Sequence, residues 1–227
     1  MPLSRVSTTT RELLILVAER LFAANGIGGV SLREIGIEAG QRNTSVTHYY
    51  FGNKDALVRA IFEYRMEPIN AHRVRMLREI REAGREGELR ALLEALVFPI
   101  ACGIIEGGHY GQFLAHLQTD PSYRGTYGWA AASGLREVCD HIAQTLDGMP
   151  HEIRRNRIRM LRGLVTVTAG EMEQRGATAK EGEIPPWALD LVDAAMGLLT
   201  APYRAEPLAS EDARPVNGER GGAGGRA

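Results

Sequence analysis

Between Gly26 and Leu57 the residue types suit recognition of a polar, anionic surface. Thr44, Ser45, His48, Tyr49 and Tyr50 crowd a short polar stretch, with Arg33 before it and Lys54 after it. Hydroxyl, imidazole and phenol groups at this spacing can hydrogen-bond base edges and touch thymine methyls, while a neighbouring cation meets phosphate. Arg42 and Asn43 join them on chemistry, because they stand in the turn that faces the presumed backbone. A hairpin that merely capped a core would not need Thr, Ser, His and two Tyr beside Lys and Arg. Phe51 is the exception in this group and is read as an anchor to the rest of the chain.

The elements that must position these side chains are helices. Nearly every long segment has the three-to-four-residue apolar period of a helix, and none alternates convincingly as a strand does. Leu14, Val17, Ala18, Leu21 and Phe22 share one face of a first helix from Arg11 to Asn25. Thr9 and Glu12 have capping-box spacing at its start, and Gly26 is its stop. Ser31 and Glu34 repeat the spacing for a second helix that ends near Ala39-Gly40. A third, from about Thr44 to Tyr50, is capped by Asn43 or Thr44, and Asn53 caps the next helix. Ala39 and Gly40 are expected to be small because the two short helices cross there, with Gly40 also accepting a positive φ. This is a helix-turn-helix, whose second helix fits a major groove about 12 Å wide.

From Lys54 longer helices are expected: to about Ala83, Leu89 to Ile105, His109 to Leu117, Tyr127 to Leu146, His151 to Arg175, and Pro186 to Leu199. The fold class is therefore all-α, with about nine helices. The divisions are a DNA-binding head over 1–53, a helical body over 54–203, to which the family resemblance described below assigns effector binding and dimerisation, and a tail over 204–227. The tail is Gly-rich with few apolar residues, a composition that reads as disorder.

Leu21-Phe22-Ala23-Ala24-Asn25-Gly26, Val30-Ser31-Leu32-Arg33-Glu34-Ile35, Ala39-Gly40 and His48-Tyr49-Tyr50-Phe51-Gly52-Asn53-Lys54-Asp55-Ala56-Leu57 together resemble the N-terminal signature of the TetR family. The turn departs from the commonest pattern, reading one residue longer through Gln41 to Thr47. The resemblance implies a dimer that binds a palindromic DNA operator through the third helix. It also implies phosphate contacts from the start of the second helix and from the lysine after the third. Carried over, these roles fall to Ser31, Arg33, Thr44, Ser45, His48, Tyr49, Tyr50 and Lys54. The function implied is a transcriptional repressor released by a small hydrophobic or amphipathic effector. A constitutive or activating regulator without an effector would share the same head.

In the body, Phe98, Cys102, Ile105, Phe113, Leu117, Tyr127, Trp129 and Met160 are the pocket candidates, being large and on the middle helices. Pro99 should kink its helix and free carbonyls toward a cavity. Apolar stripes at Ile158, Leu161 and Val165, and at Leu189, Val192, Met196 and Leu199, suit either a dimer interface or the chain's own core. Arg154, Arg155, Arg157, Arg159 and Arg162 crowd one helix and read as a solvated face, or as one arginine turned inward to an effector carboxylate.

The totals agree. The chain has 227 residues, 44% hydrophobic and 24% charged, with a formal charge of −1, so nucleic-acid binding must rest on a local patch. Cys102 and Cys139 stand far apart in apolar stretches and read as reduced thiols of a cytoplasmic protein. The apolar run from Leu92 to Ile105 is too short and interrupted to cross a bilayer. His109, His116 and His141 lack a metal or nucleophile motif around them, so no enzyme, cofactor or metal is expected.

Overall fold

A computed structural model describes residues 9–43, 45–104, 107–123, 125–177 and 183–203. Among these residues there are nine α-helices, three short 3-10 turns and no strand. In chain order the helices are α1 (Thr10–Asn25), α2 (Leu32–Glu38), α3 (Val46–Phe51), α4 (Lys54–Glu82) and α5 (Leu89–Gly103). These are followed by α6 (Tyr110–Thr119), α7 (Ser133–Gln144), α8 (His151–Gln174) and α9 (Pro186–Thr200). The predicted tail lies outside the described residues.

The local signals act where they stand in the sequence. Thr9 and Glu12 form a capping box on α1, and Ser31 and Glu34 form another on α2. Asn53 Oδ1 accepts the Ala56 N–H at 2.8 Å and starts α4. Pro185 and Pro186 open α9, where a proline removes only an N–H that the first turn cannot use. Two prolines lie inside helices. Pro68 in α4 and Pro99 in α5 each remove one intrahelical donor without ending the helix.

The segment from Tyr127 to Leu146 is not one helix. It opens with 3-10 turns at Thr126–Gly128 and Ala130–Ala132, and the α-helix begins only at Ser133. Gly125 and Gly128 weaken the start of a helix there, and Trp129 is extended, with its side chain drawn against Phe62. The interplanar angle of those two rings is 81° at 5.2 Å.

One continuous core runs from the head into the body. Phe22 of α1 stacks on Phe113 of α6 at 6.4 Å, and Phe113 on Tyr110 at 6.1 Å. Glu19, almost wholly buried on α1, accepts two hydrogen bonds from Arg65 of α4 at 2.6 and 2.7 Å. Helices α6 and α8 meet at two glycines. A Cβ on Gly170 would stand 2.8 Å from the Gly111 carbonyl oxygen, and one on Gly111 would stand 2.9 Å from that of Ala169. Because the obstructing atoms are backbone, no rotamer change relieves the clash. Gly170→Val is expected to lower unfolding free energy by about 2–3 kcal/mol, read as a shifted urea midpoint. An unchanged midpoint would mean that this crossing is looser than described.

Candidate nucleic-acid interface and ligand cavity

The third helix is only six residues long, so it must be held by what it buries. Thr47 is fully buried and Phe51 nearly so, and the Arg11 guanidinium lies 5.4 Å from the Phe51 ring centre. With those two inward, helical geometry turns Ser45, His48 and Tyr49 outward on one face. All three are exposed, and Tyr49 is the most open large hydrophobic side chain among the described residues, at 84%. Tyr50 lies on the flank between the faces and packs edge-on against Tyr49 at 5.4 Å. It therefore buttresses Tyr49 as well as offering its own hydroxyl.

The start of α3 differs from both expected caps. Ser45 occupies the capping position without a side-chain bond, and Asn43 acts just before it, its Oδ1 accepting the Ser45 N–H at 2.9 Å. Thr44 lies outside the described residues. Arg42 and Asn43 are exposed in the turn, as are Ser31 and Arg33 at the start of α2. Of the two causes expected for Gly40, the positive φ holds and the close crossing does not. A Cβ on Gly40 would meet nothing within 4 Å, so its φ of +67°, rather than a close helix crossing, is what calls for glycine.

Lys54 is turned back onto the protein. Its ammonium donates to the Ile27 carbonyl at 3.0 Å and approaches that of Gly28 at 3.4 Å, tying the start of α4 to the turn between α1 and α2. An ammonium carries three protons, which leaves one for a phosphate.

In the body an inner cavity of about 50 Å³ lies between α4, α5, α6, α7 and α8. Phe62, Met66 and Arg73 come from α4, and Leu96 and Ile100 from α5. Leu117 and Tyr127 line it as expected. The other candidates among the described residues do not. Phe113 is sealed in the core between Phe22 and Tyr110. Phe98 and Trp129 are half-buried beside the core, and Cys102 sits near the Glu183 carbonyl at 3.9 Å. Met160 is 54% exposed on the outer side of α8, because it lies almost opposite the buried stripe of that helix. Ile105 lies outside the described residues.

Arg73 was missed by reading for apolar residues. The available signal was its place in the stripe Met66, Ile69, Arg73, Leu77 and Ile80, where every other member is buried and apolar. The arginine run on α8 also divides. Arg154 pairs with Asp147 at 3.0 Å and Arg155 with Glu152 at 3.4 Å, while Arg159 bonds Asn156 at 3.2 Å. Two turn inward. Arg157 donates to the Leu199 and Pro202 carbonyls at 2.7 and 3.2 Å, and Arg162 lies over the Tyr127 ring at 3.6 Å on the cavity wall.

The C-terminal stripes split similarly. Leu161, Val165, Val192 and Leu199 are buried within the chain's own core, and Val165 lines the cavity, so these four are closed to a second copy. Ile158 and Met196 are half-buried, and Leu189 is 47% exposed. The open apolar face of α8 is instead Met160, Leu164 and Val167, spaced one turn apart. His116 donates to the Ala23 carbonyl at 3.0 Å, and His109 precedes α6. Among the described residues no cluster has metal-ligand composition, and no helix is long and apolar enough to cross a membrane.

Residues 14–61 match the family profile of bacterial regulatory proteins of the tetR family. Among solved structures, the chain is similar to a TetR-like transcriptional regulator from Rhodococcus sp. RHA1. That match has 17% identity and a TM-score of 0.54, covering 88% of this chain and all of that one. AmtR from Mycobacterium smegmatis is similar at 19% identity and a TM-score of 0.54, over 89% of this chain and 92% of its own. No curated protein sequence matches the chain. The short helix that points Ser45, His48 and Tyr49 outward lies inside the segment that matches the tetR-family profile, and the chain has the all-α fold of the TetR-like transcriptional regulators it resembles.

Proposed function

We propose that the protein is a ligand-responsive transcriptional repressor that binds a palindromic operator as a homodimer. The observation that carries this reading is the exposed face of Ser45, His48 and Tyr49 on a helix whose opposite face is locked into the core. Arg33, Arg42 and Lys54 flank that face and supply cations for the phosphates on either side. Ser31, Asn43, Thr44 and Tyr50 complete the proposed contact set. Two such helices reach successive major grooves when they stand about 34 Å apart, which requires a second copy. The face of Met160, Leu164 and Val167, continued by Leu189 and Met196 on α9, provides the apolar surface for it.

Release follows from how α4 is connected. Phe62, Met66 and Arg73 line the cavity, and the same helix holds the head through Lys54 and through Arg65 with Glu19. Asp55, in its first turn, accepts the Tyr123 hydroxyl at 2.8 Å, linking the head end of α4 to the segment after α6. A cavity of about 50 Å³ must widen to admit more than a few heavy atoms. A ligand that binds the widened state better shifts the population toward it and moves α4.

Selection from a pool of random duplexes at two salt concentrations tests the reading. Enrichment of a palindrome, weaker at high salt, is the expected result. Tyr49→Ala should then lower operator affinity by about ten- to a hundredfold with an unchanged melting temperature. Lys54→Ala should lower both, because the Ile27 and Gly28 carbonyls lose their donor. Enrichment of no sequence at either salt would remove the proposal.

A further inference from the structure

Burial leaves a charge imbalance in the cavity. Arg73 is 1% exposed, and its guanidinium has only the Asn70 Oδ1 at 2.8 Å and a long contact to the Leu96 carbonyl at 3.5 Å. Its Nε has no partner, and neither does the Nε of Arg162 across the same cavity. Among the described residues neither guanidinium makes an ion pair, whereas the buried Glu19 has Arg65. The neighbouring acidic groups do not neutralise them. Cys139 faces both arginines, and burial pushes its thiol up to about 11, so it is protonated near neutral pH. The Tyr110 and Tyr127 phenols are raised by burial as well. Burial lowers Arg73 only to about 10, so it keeps its charge at neutral pH.

We propose that this cavity takes a monocarboxylate amphiphile, its carboxylate held by Arg73 and Arg162 and its apolar part lying against Met66, Leu96, Ile100 and Leu117. The inference rests on the reading of this cavity as the effector site and names its ligand class. Guanidinium donors match a carboxylate in geometry and charge, and an entering anion supplies the acceptor that neither Nε has. The apolar walls select against a bare inorganic anion. Tyr127 and Arg162 also form the wall shared with an outer cleft of about 410 Å³, so a shift of these two side chains would join the two spaces. That cleft is lined by Arg154, Arg155 and Arg159, of which Arg154 pairs with Asp147 and Arg155 with Glu152, while Arg159 bonds only the neutral Asn156.

The test is calorimetric titration of the full-length protein with octanoate, octan-1-ol, octylammonium and inorganic phosphate. Trp129 fluorescence serves as a second readout, since its ring abuts Phe62 on the cavity wall. Octanoate should bind at least about tenfold more tightly than octan-1-ol, and octylammonium and phosphate more weakly still. Arg73→Met and Arg162→Gln should each lower octanoate affinity by at least about tenfold and octan-1-ol affinity by much less, because a hydroxyl takes only a weak, uncharged bond from the same guanidinium. Arg162 is only partly buried, so its variant serves even if Arg73→Met fails to fold. Equal affinity for octanoate and octan-1-ol would overturn the carboxylate assignment while leaving an apolar effector cavity in place. Phosphate binding as tight as octanoate would overturn the amphiphile. Binding of none of the four would overturn both this inference and the reading of the cavity as an effector site.

Discussion

Leu164→Arg is expected to leave a folded chain that sediments as a monomer and binds its operator about 10²–10⁴-fold more weakly than the wild type. Leu164 lies between Met160 and Val167 on the exposed face of α8 and is 36% exposed in the single chain. An arginine there is solvated in the monomer, so the fold should tolerate it, but against the same patch of a second copy it is desolvated without a counter-charge. The loss of DNA affinity follows from geometry. Two linked heads bind the second half-site at a high effective concentration, and separation forfeits that gain while every base contact is kept. Sedimentation velocity and operator titration are the measurements. A dimer of normal affinity would place the interface on another surface. Leu161→Ala, three positions earlier but fully buried, should instead destabilise the monomer by about 2–5 kcal/mol through its cavity.

Glu19→Gln should cost about 3 kcal/mol of stability and weaken operator binding. Glu19 is 1% exposed and receives both hydrogen bonds of the Arg65 fork. Burial works against the Arg65 charge, yet the bond and charge of Glu19 outweigh it and raise its pKa. Without the carboxylate a largely buried guanidinium is left uncompensated, which is the costly way to break such a pair. Replacing both residues, as in Glu19→Met with Arg65→Met, should recover most of the stability, because the desolvation penalty disappears with the charges. Urea unfolding of the two single variants and the double variant measures the coupling. Since the pair joins α1 to α4, operator affinity in the stable double variant shows whether the charged fork also positions the head. If Glu19→Gln unfolds at the wild-type midpoint, the pair contributes nothing to stability.

The head was legible because its determinants are local. Capping boxes at Thr9 and Ser31, the cap at Asn53 and the stop at Gly26 each act within a few residues and need no tertiary partner. The exposed face of the third helix was legible for a related reason: polar and aromatic residues that must meet solvent stand out by type in a short, otherwise buried unit. Periodicity likewise located the long helices, since an apolar stripe repeats along its own chain.

Which way a stripe faces was another matter. Leu161 and Val165 have the same periodicity as Met160, Leu164 and Val167, yet the first pair meets the core and the second set meets solvent. An amphipathic helix with apolar residues on two sides gives no sign of which side a neighbour covers, and only the packing of α8 on α6 and α9 decides it. The same holds for Arg73, Arg157 and Arg162. In sequence they are ordinary arginines among many. Only the fold takes them from water, gives Arg157 two carbonyls, and leaves the other two without an anion. Helix type and placement were thus determined by interactions between near neighbours, whereas burial and charge balance depend on what distant segments bring to the same place.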